Sequence, residues 1–373
     1  MRQLSTLIFI LLMAGCSRHE QKWSSIVSPI QENIRFDSVQ LKRIALDSVY
    51  CSGEGFSGFT GADKICFFDS YYGYLFSFNL DGTFYERKYG VGNGPKEVLI
   101  DNPFGFYLDG DGSMALLGNG LDVELHPSEG KSEYFIINYR PEEKGSSSSY
   151  STYTHSIMPD AHMRKGREVL YALFCENPVF NMLNSPQKYL KEAYHIAVVD
   201  TKTHEASLIV KGFPEVYSKD PHRMFSFSYV RYDYVPERDQ IILGFEATPE
   251  LYVCNATGKP LRVFGAPGRN MDQEYLPVRS FDPDEVKNHR KNRNTKGYYS
   301  TITVDGKWVF RSYKKGGNSP IDGLQIYEDE ILVADLDVPK DFSVIGVHGN
   351  TVISNIQFDE ETERLYCYEF ELE

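Results

Sequence analysis

Residues 75–94 read L-F-S-F-N-L-D-G-T-F-Y-E-R-K-Y-G-V-G-N-G: a strand, an Asp-Gly turn, a second strand and a glycine-punctuated exit. Residues 251–268, L-Y-V-C-N-A-T-G-K-P-L-R-V-F-G-A-P-G, repeat the plan at an offset of 176 residues for Asn79/Asn255 and 175 for Gly90/Gly265. Asp81-Gly82 and Thr257-Gly258 occupy the turns, where Gly supplies the positive φ of a two-residue hairpin. Such internal repetition belongs to an array in which each unit buries its apolar face against the next.

Outward from that hairpin the chain divides into short strands, and long helical patterns are absent. The first unit takes 56–60, 64–69, 74–79 and 83–89, and the second 104–108, 113–117, 121–126 and 132–138. The third takes 152–158, 168–174, 194–200 and 206–210, and the fourth 226–234, 240–246, 251–255 and 260–264. The fifth takes 299–304, 307–313, 324–327 and 331–336. The sixth supplies only 342–347, 351–358 and 365–371, while a strand-like stretch, 36–46, is left over at the start. One spare strand and one missing strand is what a ring leaves when its first strand completes its last unit and removes the free edges. The expected fold is all-β, a six-bladed β-propeller over 36–373 closed by the N-terminal strand. A pair of β-sandwiches is the structural alternative.

Composition agrees. The 26 Tyr and 24 Phe of this 373-residue chain suit pleated surfaces. A formal charge of −13, or −14 once Arg2 leaves with a leader, repels phosphate backbones and argues against a nucleic-acid partner. Met1-Arg2, an apolar run over 4–13 and Leu12-Met13-Ala14-Gly15-Cys16 form a signal segment too short to span a bilayer. Its end resembles the lipobox of bacterial lipoproteins, with Met13 in place of the usual Leu. The resemblance implies a signal peptide over 1–15, acylation of Cys16 and a membrane anchor, followed by a polar tether over 16–35. Five cysteines then remain; Cys66, Cys254 and Cys367 lie in apolar strand patterns, so buried thiols rather than a disulfide framework are expected.

After the first hairpin come Gly90-x-Gly92-x-Gly94-Pro95-x-Glu97, then Asn102-Pro103-Phe104-Gly105 and Asp109-Gly110-Asp111-Gly112. This succession is similar to the G-x-G-P-x-E…P-x-G…D-x-D-G pattern of NHL/TolB-like six-bladed propellers. Joined to the lipobox, it resembles the propeller lipoproteins of Bacteroidetes. That resemblance implies a binding or scaffolding role at the cell envelope with no shared catalytic residues. The glycines lead into Pro and a strand, without a helix or a Lys-Ser/Thr pair, so they do not form a phosphate loop. Asp109-x-Asp111-Gly lacks the closing Glu of a calcium loop, since that position is Gly120.

A propeller places its links and second-to-third-strand loops on one face and its tight hairpins on the other. The long loops 138–151, 175–193, 212–225 and 265–298 all fall on the link face, where a site is expected. The last carries about twenty extra residues by comparison of the Asp109/Asp305 and Gly90/Gly265 offsets. It includes His289, Arg290, Lys291, Arg293 and Lys296, and Arg311, Lys314 and Lys315 are expected to emerge beside it. Residues 282–293 suit a short helix with Asp282 as cap and Pro283 in its first turn. These eight side chains are the candidate contacts for an anionic ligand, an acidic glycan or an acidic partner surface. The simpler reading of the same run, and the preferred one, is a solvated, mobile loop whose charges aid solubility. Tyr150, Tyr153 and His155, with His162, are weaker candidates for sugar or metal contacts.

The favoured function is a non-catalytic binding or interaction propeller, a monomeric outer-membrane lipoprotein without metal or cofactor. The leaflet is left open. The rival is a propeller hydrolase or lyase acting on glycans or lactones, with Glu97 and Asp101 as a conceivable carboxylate pair. Sialidase boxes and a G-x-S-x-G nucleophile elbow are both absent from the sequence.

Overall fold

The computed structural model describes Trp23 and residues 30–61, 63–94, 96–118, 121–138, 161–173 and 179–372. Strand β1 (Lys42–Ala45) precedes a ring of antiparallel sheets. Blade 1 holds β2 (Gly55–Thr60), β3 (Lys64–Asp69), β4 (Tyr74–Phe78) and β5 (Phe84–Tyr89). Blade 2 holds β6 (Gly105–Leu108), β7 (Met114–Leu117), β8 (Asp122–His126) and β9 (Glu133–Ile136). Blade 3 holds β10 (Ala161–Arg164), β11 (Glu168–Ala172), β12 (Tyr194–Asp200) and β13 (Ala206–Lys211), with helix α1 (Pro186–Glu192) between its second and third strands. Helices α2 (Glu215–Lys219) and α3 (Pro221–Met224) lead to blade 4, β14 (Val230–Val235), β15 (Gln240–Phe245), β16 (Leu251–Asn255) and β17 (Pro260–Phe264). Helix α4 (Pro283–Thr295) precedes blade 5, β18 (Tyr298–Asp305), β19 (Trp308–Lys314), β20 (Ile321–Glu328) and β21 (Ile331–Pro339). Blade 6 holds β22 (Val344–His348), β23 (Thr351–Ser354), the short β24 (Gln357–Asp359) and β25 (Arg364–Glu371).

The ring closes as the strand tally requires. β1 pairs antiparallel with β25, Ile44 opposite Cys367, and becomes the outer strand of blade 6. The amide of Leu46 extends the pairing to the Leu365 carbonyl, and that of Asp47 reaches the Gly82 carbonyl of blade 1. Gly82 is required here: at φ +87° its backbone runs so close to β1 that a Cβ would stand 2.3 Å from the Ala45 carbonyl oxygen. Closure thus joins the chain's start to its end and to the first blade at one corner.

Burial explains the strand sequences. Second strands such as β3, K-I-C-F-F-D, are covered on both sides by neighbouring blades and read as nearly continuous apolar runs. Outer strands such as β5, F-Y-E-R-K-Y, are largely solvated and carry the charges. The core is a set of interblade clusters, the largest between blades 3 and 4 around Phe213, Phe227, Tyr232 and Phe245. Cys66, Cys254 and Cys367 are buried free thiols, Cys51 is half-buried and free, and Cys175 lies outside the described residues.

Three local expectations change. The expected first strand of blade 3, 152–158, lies outside the described residues, and Ala161–Arg164 fills that position. The expected start of blade 4 at residue 226 is a single turn of 3-10 helix over Phe225–Phe227, because Ser226 and Phe227 are recruited into packing beneath α4. The tether is also more than a spacer. Trp23 is buried between blades 3 and 4, its Nε1–H donating to the Lys211 carbonyl at 3.0 Å. Residues 31–35 lie along the edge of β21: Gln31 O accepts from Leu332 N, and Asn33 N and Arg35 N donate to the carbonyls of Leu332 and Val333. That contact covers the exposed ladder of an edge strand.

Candidate binding face

The 265–298 insertion is folded onto the link face rather than loosely solvated. Its first residues are stitched to blade 5 by tyrosine hydroxyls: Ala266 N donates to Tyr327 Oη at 3.0 Å, Gly268 N to Tyr299 Oη at 2.9 Å and Arg269 N to Tyr313 Oη at 2.9 Å. Buried phenols need such partners, which is why these tyrosines bury their rings and turn the hydroxyls to backbone. Farther on, α4 starts with Asp282 at the cap and Pro283 in the first turn. The Asp282 carboxylate accepts from Ser280 Oγ instead of from the helix amides, while Glu285 accepts from Arg279 N at 2.8 Å.

Asn292 and Arg293 of α4 hold it to the propeller. Asn292 is fully buried; its amide donates to Leu276 O at 2.7 Å and Ser226 Oγ at 3.0 Å and accepts from Leu276 N at 2.8 Å. Arg293 donates to Glu246 Oε2 at 2.5 Å and to Ser226 O at 3.2 Å, and its guanidinium centre lies 4.1 Å from the Tyr298 ring centroid. Glu246 is fully buried at the end of β15 and also receives Arg231 Nη2 at 3.3 Å. One carboxylate between two guanidiniums avoids an unpaired charge in a low-dielectric site. The Glu246 charge holds the Arg293 pKa above its usual value despite the opposing effect of burial.

The eight cationic candidates therefore divide. Arg290 and Lys291 face solvent on α4. His289 is half-buried, its Nδ1 3.3 Å from Ser226 Oγ. Arg293 is spent on Glu246, Lys296 on Asp272 at 2.8 Å, Lys314 on Asp322 at 2.7 Å and Asp341 at 2.5 Å, and Lys315 on Asp337 at 2.5 Å. Arg311 does not emerge on the face. It is fully buried between blades 4 and 5, donating to the carbonyls of Pro249 at 2.5 Å and Thr248 at 2.8 Å, with its guanidinium centre 3.5 Å from the Tyr299 ring centroid. Burial lowers its pKa. The acidic composition of the chain explains the division: carboxylates already stand where most of the cations land.

The glycine motif builds a turn. Gly94 N donates to Glu97 Oε2 at 2.7 Å, and Val98 N returns to Gly90 O at 2.8 Å. A Cβ on Gly92 would meet that carboxylate at 2.1 Å, so the motif glycines make room for Glu97. Pro95 lies outside the described residues. Below the turn, buried Glu124 accepts from the amides of Leu99 at 2.8 Å and Ile100 at 3.1 Å and pairs with His126 at 2.9 Å. Glu97 is thus committed to its own turn, and Asp101 accepts from Asn102 rather than pairing with it.

First strands neighbour one another around the axis. There His162 Nδ1 lies 3.2 Å from Asp233 Oδ1, with side chains 17% and 14% exposed, and the Tyr107 ring is 5.7 Å from that of His162. Asp233 also accepts from Val304 N at 2.6 Å and Tyr234 N at 2.7 Å, and burial pushes its carboxyl up to about 7. Tyr150, Tyr153, His155 and Cys16 lie outside the described residues. Among the described residues no group of three or more His, Cys, Asp or Glu is placed to hold a metal ion, and no helix is long and apolar enough to cross a membrane. Sequence reasoning missed Trp23, Glu246 and the Asp233–His162 pair. His162 was singled out without its partner, and Glu246 left a trace as an acid closing the apolar run I-I-L-G-F.

No family model matches the chain, and no curated relative does. Solved structures do. A member of the DUF4221 family from Bacteroides vulgatus superposes with a TM-score of 0.67 at 15% identity over 91% of this chain and 99% of that one. The likeness is one of fold. A Bacteroides fragilis protein named as an exported one follows at a TM-score of 0.52 and 12% identity, over 92% and 99% of the two chains. A gluconolactonase from Xanthomonas campestris is more distant, with a TM-score of 0.44 at 9% identity over 92% and 98%.

Proposed function

We propose that this protein is an envelope lipoprotein of the outer membrane, acylated at Cys16, whose propeller acts as a non-catalytic binding module. The ligand is anionic, an acidic glycan or an acidic protein surface, and it is met on the link face. The observation that carries this reading is the 265–298 ledge. It is buttressed at its base by Asn292 and the Glu246–Arg293 pair, and it turns Arg290 and Lys291 outward on a chain of net charge −13. Fixed cations on a folded ledge lose little entropy on contact, unlike cations on a mobile loop. Binding of acidic glycans to the unacylated chain 17–373 tests it. Arg290→Ala with Lys291→Ala weakens the hit by about tenfold, and unchanged affinity removes the ledge from consideration.

The axial His162–Asp233 pair favours a second reading, a hydrolase or lyase acting on glycans or lactones. A partly exposed imidazole beside a carboxyl of raised pKa is a plausible proton-transfer couple. Turnover of a lactone or glycan panel that His162→Ala abolishes would establish it.

A further inference from the structure

Trp23 is more deeply held than a tether residue has reason to be. Its indole meets the Phe245 ring edge-on at 5.5 Å and the Tyr252 ring at 4.9 Å, and Nε1–H is satisfied by Lys211 O at 3.0 Å. Lys211 ends the outer strand of blade 3, Phe245 ends the second strand of blade 4, and Tyr252 begins its third. All three points lie at the link-face ends of their strands. Among the described residues downstream, Gln31 docks on Leu332, near the hairpin-face end of β21. Among the described residues the N-terminal segment is therefore fastened at two heights, and of these the fastening nearer Cys16 is the one on the link-face side.

Chain length converts that into an orientation. Trp23 is seven residue steps from Cys16, a span that reaches about 25 Å when fully extended. The six-residue strand β15 is itself about 20 Å long, before its projecting hairpin turns are added. An anchor leaving from Trp23 reaches a membrane on the link-face side easily and one on the hairpin side only by running taut down the blade. Were Gln31 the first fastening, fifteen residue steps and about 50 Å of reach would leave the propeller free to tumble.

We propose that Trp23 is the seat of the lipid-anchored segment and holds the propeller with its link face toward the membrane that carries the anchor. Arg290 and Lys291 then face the gap between propeller and bilayer, so that the ligand proposed for the ledge is met on the membrane side. The proposal rests on acylation of Cys16. An anionic bilayer surface attracts exposed cations, so Arg290 and Lys291 refine an orientation that the seat imposes; they do not replace it.

Hydrogen exchange of the acylated full-length protein in nanodiscs containing anionic phospholipid, compared with the unacylated chain, reads the orientation directly. Amides of α4 and its flanking loops slow by about threefold or more, while the hairpin turns at Asp81-Gly82, Thr257-Gly258 and Asp305-Gly306 are unchanged. Inserting about ten Gly/Ser residues after Ser17 lengthens the tether without touching the indole, and the link-face protection disappears. Trp23→Ala does the same, with circular dichroism and thermal unfolding confirming that the ring stays closed. Slowing on the hairpin face, slowing confined to the outer strands of blades 3 and 4, or link-face protection that survives the insertion overturns the orientation. Mass spectrometry separates this from failure of the anchor itself: Cys16 without acyl chains removes both, whereas acylated protein with the wrong face protected removes only the orientation.

Discussion

Arg293, on the last turn of α4, donates to Glu246, at the end of β15, across 47 residues at 2.5 Å. That bond ties the insertion to the propeller, with Arg231 completing a three-charge arrangement in which both arginines lie on one buried carboxylate. Glu246→Ala leaves two guanidiniums without their anion and is expected to cost about 4 kcal/mol in denaturant unfolding. Arg293→Ala leaves Arg231 to compensate and should cost less. Reversal of that order would show that Arg231 does not share the charge.

Gly82 sits against β1 at the closing corner. Gly82→Ala combines a positive-φ penalty with a clash against the Ala45 carbonyl and should cost about 2–4 kcal/mol. Faster amide exchange concentrated in β1 and β25 is the specific signature. Uniform loss across the ring would point to general destabilisation.

His195 is fully buried, with Nε2–H donating to Gly212 O at 3.0 Å, and burial lowers its pKa from 6.5 to about 4. The unfolded chain takes up the proton below 6.5 and the folded chain only near 4, so stability is complete above 6.5 and falls as pH drops between those values. At pH 5 the loss is about 2 kcal/mol relative to neutral pH. His195→Gln, which keeps a donor for Gly212 without titrating, should flatten the difference between urea midpoints at pH 5 and pH 7.

Asp233 behaves in the opposite sense, its folded carboxyl being raised from 3.8 to about 7. The unfolded state releases the proton first, so the stabilising contribution present below about 4 disappears as pH rises toward 7. Asp233→Asn keeps an acceptor for Val304 N but cannot ionise. Its stability relative to the parent should climb between pH 4 and pH 7 and then level off. A flat difference would mean that the carboxyl ionises at ordinary pH, held by His162.

The ring and its closure were legible because they depend on local signals: turn glycines, apolar runs of strand length, and a count that left one strand at the start for one missing at the end. The helix behind Asp282-Pro283 was legible for the same reason. The fate of its charges was not. Arg290 and Arg293 are three residues apart in one basic run, yet one faces water and the other is buried against Glu246, because the helix phase and the approach of blade 4 decide which carboxylates are within reach. Arg311 reads as a surface cation and lies inside, held by carbonyls of a turn more than sixty residues away. Trp23 read as part of a tether because the apolar residues near it, Ile26 and Val27, form no strand-length run; its partners come from blades 3 and 4. Local sequence therefore determined the strands, the turns and the order of the blades. Tertiary structure alone decided which charges meet, since burial and pairing arise between segments that only closure of the ring brings together.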